Sequence, residues 1–168
     1  MVTSIKGNAT STFGGNVDVP QIITDAPAFE AVDNSGTATS IPTATFTKLT
    51  YSTENFDTTG DYDNSTNYRF TPSVEGYYQV NGCCGIASLG DGKQALVTIY
   101  KNGSEFRRGS QNTVGAAQST VQNVNALIYM NGSTDYIELY VYHSHGSNLN
   151  TFSAAKYQYF SASLVRAV

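Results

Sequence analysis

Three groups of residues in this 168-residue chain have side chains able to do chemistry, and each has an ordinary reading beside the reactive one. The segment "ENFDTTGDYD" carries Glu54, Asp57, Asp61 and Asp63, oxygen donors of the kind calcium takes. Their spacing is not that of an EF-hand loop, and Asp beside Gly and Thr is equally the composition of tight turns. His143 and His145 flank one serine and would share a strand face, where a threefold axis could multiply them into a metal site. The competing expectation, and the preferred one, is that both face solvent where a strand enters the loop "HGSNLN". Cys83 and Cys84 are neighbours, so on an extended strand they point to opposite faces. A bridge between them would strain the intervening peptide; two reduced thiols are expected, one packed in a core and one at an interface. No Ser/His/Asp or Cys/His spacing accompanies these groups, so neither an enzyme nor a cofactor is expected. Calcium at Asp57, Asp61 and Asp63 is the candidate ion.

Composition narrows the partners. Charged residues make up 13% of the chain, the formal net charge is −4, and no basic run exceeds Arg107-Arg108, which argues against a nucleic-acid surface. Nowhere do enough apolar residues run together to span a bilayer as a helix, and the first fifteen residues lack the apolar core of a secretion signal, so synthesis in a cytoplasm and no membrane insertion are expected. The length suits one domain with a short arm.

The elements that must position these residues are strands. Helical periodicity is nearly absent, whereas period-two alternation bounded by Asn-Gly, Asp-Gly or Pro recurs from residue 43 onward. "TATFTKLTY" (43–51) alternates, and "QALVTIYKNGSEFRRG" (94–109) predicts a hairpin with Asn102-Gly103 at its tip. A second Asn-Gly turn joins "VQNVNALIYM" to "DYIELYVYHS". In the latter Ile137, Leu139 and Val141 form an aliphatic face, while Tyr136, Glu138, Tyr140 and Tyr142 form the other. The last strand divides likewise, with Phe160, Ala162 and Leu164 inward and Tyr157, Tyr159 and Ser161 outward. From Pro72 and Gly76 onward, Tyr78, Val80, Cys84 and Ile86 share one face and Tyr77, Gln79, Asn81 and Cys83 the other. Twelve tyrosines without a tryptophan favour large, rigid contact surfaces of the kind protein or carbohydrate interfaces use. Residues 1–27, rich in Gly, Thr and Asn and closed by Pro27, predict an arm or stem that docks on other copies or on a partner, leaving 28–168 as the domain.

The series "PAFEA" (27–31), "FTKLTY" (46–51), "FDTTGDYDNSTNYRFTPSVEGYYQV" (56–80) and "YFSASLVRA" (159–167) resembles the globular C1q-like domain of the tumour-necrosis-factor superfamily across about residues 27–168. Phe46, Tyr62, Phe70, Gly76 and Tyr78 follow the order of that family's signature. Departures are Ser52, one extra residue between Tyr62 and Phe70, Val80 in place of an aromatic, and Gly82. The resemblance implies an all-β, ten-stranded jelly-roll β-sandwich that assembles as a homotrimer. Tyr77, Tyr78, Cys83, Tyr136, Tyr140, Tyr142 and Tyr159 would then serve core and intersubunit packing.

The wording of "ENFDTTGDYDNSTNYRFTPSVEGYYQVNG" and "ALIYMNGSTDYIELYVY" is similar to C1q-like domains of bacteriophage, cyanobacterial and marine viral structural proteins. That similarity implies a virion component: a trimeric knob, such as a tail fibre tip, anchored to capsid or tail proteins by residues 1–27. Host attachment would fall to loops around Gly90–Gly92, Gln111–Ala117 and His145–Thr151, with Asp91, Gln111, Asn112, His145 and Asn148 as candidate contacts to a receptor glycan or protein. The alternative is capsid decoration or cement on the phage head. A secreted lectin is a third reading.

Overall fold

The computed structural model describes residues 26–168, so the expected arm lies outside the described residues except for its last two positions. The strands are β1 (Ala28–Val32), β2 (Ser40–Ile41), β3 (Thr47–Lys48), β4 (Thr53–Asp57), β5 (Tyr62–Asp63), β6 (Arg69–Phe70), β7 (Glu75–Leu89), β8 (Gln94–Lys101), β9 (Ser104–Thr113), β10 (Gln118–Asn131), β11 (Ile137–His143), β12 (Leu149–Asn150) and β13 (Gln158–Ala167). A 3₁₀ turn, Ala155–Tyr157, precedes β13. Among the described residues the thirteen strands exceed the ten implied by the resemblance because five of them are two-residue pieces.

They form a jelly-roll sandwich. One main sheet has the order β10-β7-β13-β1-β4; the other runs β5-β6-β11-β8-β9, with β3 also paired to β11, and β2 pairs with β12 as a separate two-stranded piece. The hairpin of β8 and β9 is as expected: Asn102 and Gly103 both take positive φ, 52° and 79°, the backbone a two-residue turn of matching twist needs. The second Asn-Gly turn behaves otherwise. It carries the chain from β10 in one sheet to β11 in the other, and the Asn131 side-chain oxygen accepts N–H bonds from Ser133, Thr134 and Asp135 to make that crossing.

The strand expected over 43–51 shrinks to Thr47–Lys48. Ala44 sits at φ 54°, which breaks the extended run, and Tyr51 turns inward to bury its ring. Elsewhere the alternation holds. Tyr78, Val80, Cys84 and Ile86 of β7 face Leu139 and Val141 of β11 across the core, together with Phe160 and Ala162 of β13. Gly82 fills the same row without a side chain; a Cβ there would lie 2.3 Å from a Leu139 methyl, so the bare backbone is what admits that leucine. At one end Phe29 stacks on Tyr62 and on Phe70, each at 4.6 Å between centroids, and meets Phe160 edge-on at 5.2 Å. Each fully buried ring or aliphatic side chain here contributes about 1.5–3 kcal/mol through removal from water.

The registers fix a polarity. Ala167 pairs with Gly76 at the start of β7, and β1 runs toward the far end of β7, so the chain enters β1 and leaves β13 near one end of the sandwich. The turns 90–93, 114–117 and 144–148 close the opposite end.

Candidate recognition and assembly surfaces

The outward face of the five-stranded sheet can be read row by row from its registers. Tyr129, Tyr77 and Arg166 make one row, Leu127, Gln79, Ser163 and Ala28 the next, then Asn125, Asn81, Ser161, Glu30 and Phe56, and finally Asn123, Cys83, Tyr159, Val32 and Thr53. Val32 and Cys83 of the last row are buried, whereas toward β10 the apolar members are uncovered: Leu127 is 56% exposed, Tyr77 42% and Tyr129 39%, with Val165 at 61% beside them; Phe56, 49% exposed, stands apart at the β4 edge. Tyr77 and Tyr129 lie 5.7 Å apart, and the Tyr129 hydroxyl donates to Glu75 Oε1 at 2.6 Å. Around the adjacent edge, β9 is exposed along its length except at Gly109, and Phe106 there is 41% exposed under the Arg107 guanidinium. β9 is tied to β10 where Ser110 Oγ accepts from the Asn123 N–H at 3.1 Å. Leu127 and Val165 were missed in the sequence, although Leu127 is out of phase with the buried Ile128 and Met130, a signal that an apolar residue faces outward.

The tyrosines expected to act as one packing set are divided between the two sides of the sandwich. Tyr77 and Tyr159 lie on the outward face of the five-stranded sheet, and Tyr78 is wholly in the core, its hydroxyl donating to the Val74 carbonyl at 2.7 Å. Tyr140 and Tyr142 face outward from the six-stranded sheet, with Tyr136 just before β11. There Tyr100 stacks on Tyr140 at 4.0 Å, Phe46 meets Tyr142 at 5.0 Å, and Arg69 lies 4.4 Å above the Tyr136 ring. The charges around this patch are matched internally by Lys48–Glu138, Lys101–Asp135 and Arg108–Glu105.

Cys83 and Cys84 are both free and both buried, at 3% and 0% exposure. The interface expected for Cys83 is not needed: its own chain covers it, with Tyr159 as its register partner on β13 and Asn123 on β10. Burial pushes the Cys83 thiol up to about 11 and the Cys84 thiol further. Beside them the Tyr51 hydroxyl lies 2.7 Å from the Cys83 carbonyl and 2.9 Å from Gln158 Oε1, while Gln158 Nε2 donates to Gly85 at 2.9 Å and the Tyr62 hydroxyl to the Tyr51 carbonyl at 2.9 Å.

At the apical end, loops that are distant in sequence are held together by backbone bonds. Gly92 donates to Val114, Val114 to Lys93, and Ser144 to Gln94. Gln111 and Asn112 are residues of β9 rather than of a loop, yet they pair with Leu96 and Ala95 near this same end. Asp91 and Asn148 are exposed; His145 is half-buried, its Nδ1 accepting the Gly90 N–H at 3.0 Å. His143 corrects the expectation of two solvent-facing imidazoles. It is fully buried on the core-facing side of β11, with Nε2 3.0 Å from the Ile41 carbonyl and Nδ1 accepting the His145 N–H at 3.3 Å.

The three aspartates of the candidate calcium site are not brought together. Asp57 closes a turn by accepting from Thr59, Gly60 and Tyr62, and Asp63 another by accepting from Ser65, Thr66 and Asn67, while Asp61 accepts from Thr59 and from Ser73 beyond β6. The Thr66 and Ser65 N–H groups and the Asn67 side chain hold the Asp63 carboxyl well below the usual carboxylate range. Among the described residues no three acidic, histidine or cysteine side chains gather around a common point.

No protein-family model and no curated protein matches this sequence. Solved structures do match its fold. The globular domain of zebrafish complement 1qA protein superposes with a TM-score of 0.61 at 15% identity, covering 85% of this chain and 99% of that one. Eiger TNF from S. frugiperda gives 0.61 at 8% identity over 86% and 95% of the two chains, and murine APRIL at pH 5.0 gives 0.61 at 8% over 83% and 99%. The chain therefore has a C1q/TNF-like fold.

Proposed function

We propose that this protein is a homotrimeric knob on the surface of a bacteriophage virion, held through its N-terminal segment and presenting its apical loops to the host cell. The assembly is carried by one observation: Tyr77, Leu127, Tyr129 and Val165 gather on the β10 side of the five-stranded sheet's outward face, and the apolar surface continues around the edge onto β9, exposed on both faces. Scattered apolar residues are ordinary on a surface, whereas a contiguous patch beside an open strand edge marks an interface. A sheet face and a strand edge are different surfaces, so the contact between copies is heterologous, the kind that makes a ring when its rotation closes. Three copies is the number that the C1q-like resemblance implies.

Polarity supports the division of labour. The described chain enters and leaves at one end, and the polar turns holding Asp91, His145 and Asn148 sit at the other. The virion setting rests on the wording of the segments that resemble phage structural proteins. The role is one of binding and architecture, without catalysis.

Sedimentation equilibrium of the full chain tests the assembly: three chain masses are expected, and a single chain mass would overturn it. Copy number in purified particles tests the setting. A small multiple of three per particle supports host attachment, a count near that of the major shell protein moves the role to capsid decoration, and absence from the particle removes the virion reading.

A further inference from the structure

When copies gather around an axis with the same sheet facing inward, one flank of each meets the other flank of the next. In the proposed assembly the flank of β10 and β9 is one side of that junction, so the flank of β1 and β4 is the other. On the first, the β8–β9 register slips: Ile99 pairs with Arg107 and Tyr100 with Glu105, leaving Phe106 as the extra residue of a β-bulge. Bulges at sheet edges re-aim a side chain. Phe106 is 41% exposed and the Arg107 guanidinium lies 4.9 Å from its ring, so the two project as one amphipathic knob. Thr98 Oγ1 donates to the Arg107 carbonyl at 3.0 Å and pins the base of that knob. Its neighbour Arg108 is committed to Glu105, whereas among the described residues Arg107 enters no ion pair.

The second flank carries a cleft of about 200 Å³, lined by Glu30, Asn55, Ala155, Lys156 and Tyr159. That is below the roughly 300–1,000 Å³ of small-molecule sites and suits a protruding side chain. The β1–β4 register slips here too, leaving Asn55 as the extra residue, and its Nδ2 donates to Glu30 Oε1 at 2.6 Å, which orients the carboxylate. Among the described residues Glu30 also enters no ion pair. Lys156 on the far wall is drawn over Tyr157, its Nζ 5.0 Å from that ring, and Tyr159 is half-buried. Knob and cleft stand at one height. β9 climbs toward the apical turns while β10 descends from them, and Ser110 meets Asn123, so Arg107 falls beside Asn125. Asn125 shares its row of the sheet with Asn81, Ser161 and Glu30. A closed ring has no rise along its axis, so groups that meet across a junction must be level.

We propose that Phe106 and Arg107 of one copy seat in this cleft of the next. The guanidinium takes the Glu30 carboxylate through a charge-assisted bond, and the Phe106 ring packs against Tyr159 with the Lys156 ammonium within reach of its face. Each copy gives one knob and offers one cleft, so every junction of the ring is filled alike and none is complete without its neighbour. The contact rests on the assembly proposed above and names the residues that lock it.

A charge-exchange set on the full chain tests it by sedimentation equilibrium. Glu30→Arg and Arg107→Glu should each weaken association about tenfold or more, since like charges then face each other at every junction. The variant carrying both substitutions should recover most of the loss, because each junction again joins opposite charges; damage to the fold would add up instead of cancelling. Circular dichroism of all three should match the parent, Arg107 being exposed and Glu30 on the outward face. A parent at one chain mass overturns the assembly and this contact with it. A parent at three chain masses whose single variants associate as it does, or whose double variant is no better than the singles, overturns the contact and leaves the assembly standing.

Discussion

Asp63 shows how a single carboxylate can stabilise this fold by closing a turn. Its folded-state value is lowered by the Thr66 and Ser65 N–H groups and by Asn67, so its contribution is fully present above the ordinary carboxylate range and is lost as pH falls through the lowered value. Asp63→Ala should therefore melt earlier than the parent at neutral pH, and the gap in Tm should shrink as the buffer is taken below about pH 4, the ordinary carboxylate value. A gap that is constant with pH would mean that the turn's hydrogen bonds do not depend on the charge. The thiols give a second residue-scale prediction. With Cys83 raised to about 11 by burial and Cys84 sealed in the core, neither should react with a thiol reagent at neutral pH in the folded protein, and both should react once it is unfolded in denaturant. Tyr51→Phe should cost about 1–3 kcal/mol in denaturant unfolding, because it leaves the buried Gln158 oxygen short of a donor.

Among the elements, β9 is held to the neighbouring sheet by a close backbone approach. A Cβ on Gly109 would fall 2.2 Å from the Asn123 carbonyl oxygen and 2.7 Å from Val124 Cβ, atoms of a paired strand that cannot step aside. Gly109→Ala should lower unfolding stability by about 1–3 kcal/mol, and hydrogen exchange should localise the damage to β9 and the apical end of β10. Gly82→Ala should cost less, since only the ends of the Leu139 side chain stand in the way. The long strands were legible because one buried face imposes a period of two: Tyr78 to Ile86, Ile137 to Val141 and Phe160 to Leu164 all point as their alternation says. The pattern is silent on which sheet a strand joins, which is why Tyr77 and Tyr140 looked like members of one surface. It is equally silent where burial comes from a neighbour distant in sequence, as for Cys83 beneath Tyr159 and His143 against the Ile41 carbonyl. The acidic turns were visible as residues, but their hydrogen-bond partners are set by backbone geometry that composition does not encode.

For the molecule as a whole, the two unpartnered surfaces meet along one flank, so a charge placed there should undo assembly without undoing the fold. Leu127→Glu replaces a side chain that is 56% exposed and touches the core only through its strand. Sedimentation should shift from three chain masses toward one while the circular dichroism spectrum is retained; a variant that keeps its assembly would place the contact elsewhere. The polarity of the sandwich also has a mechanical side. β1 lies between β13 and β4, antiparallel to both, and the chain enters it at the end away from the apical turns. A pull between that entry point and the apical turns runs along the strands, so the hydrogen bonds flanking Ala28–Val32 are loaded together in shear instead of being peeled apart one after another. Tethered by that end, the domain would hold under tension until β1 gives way as a unit.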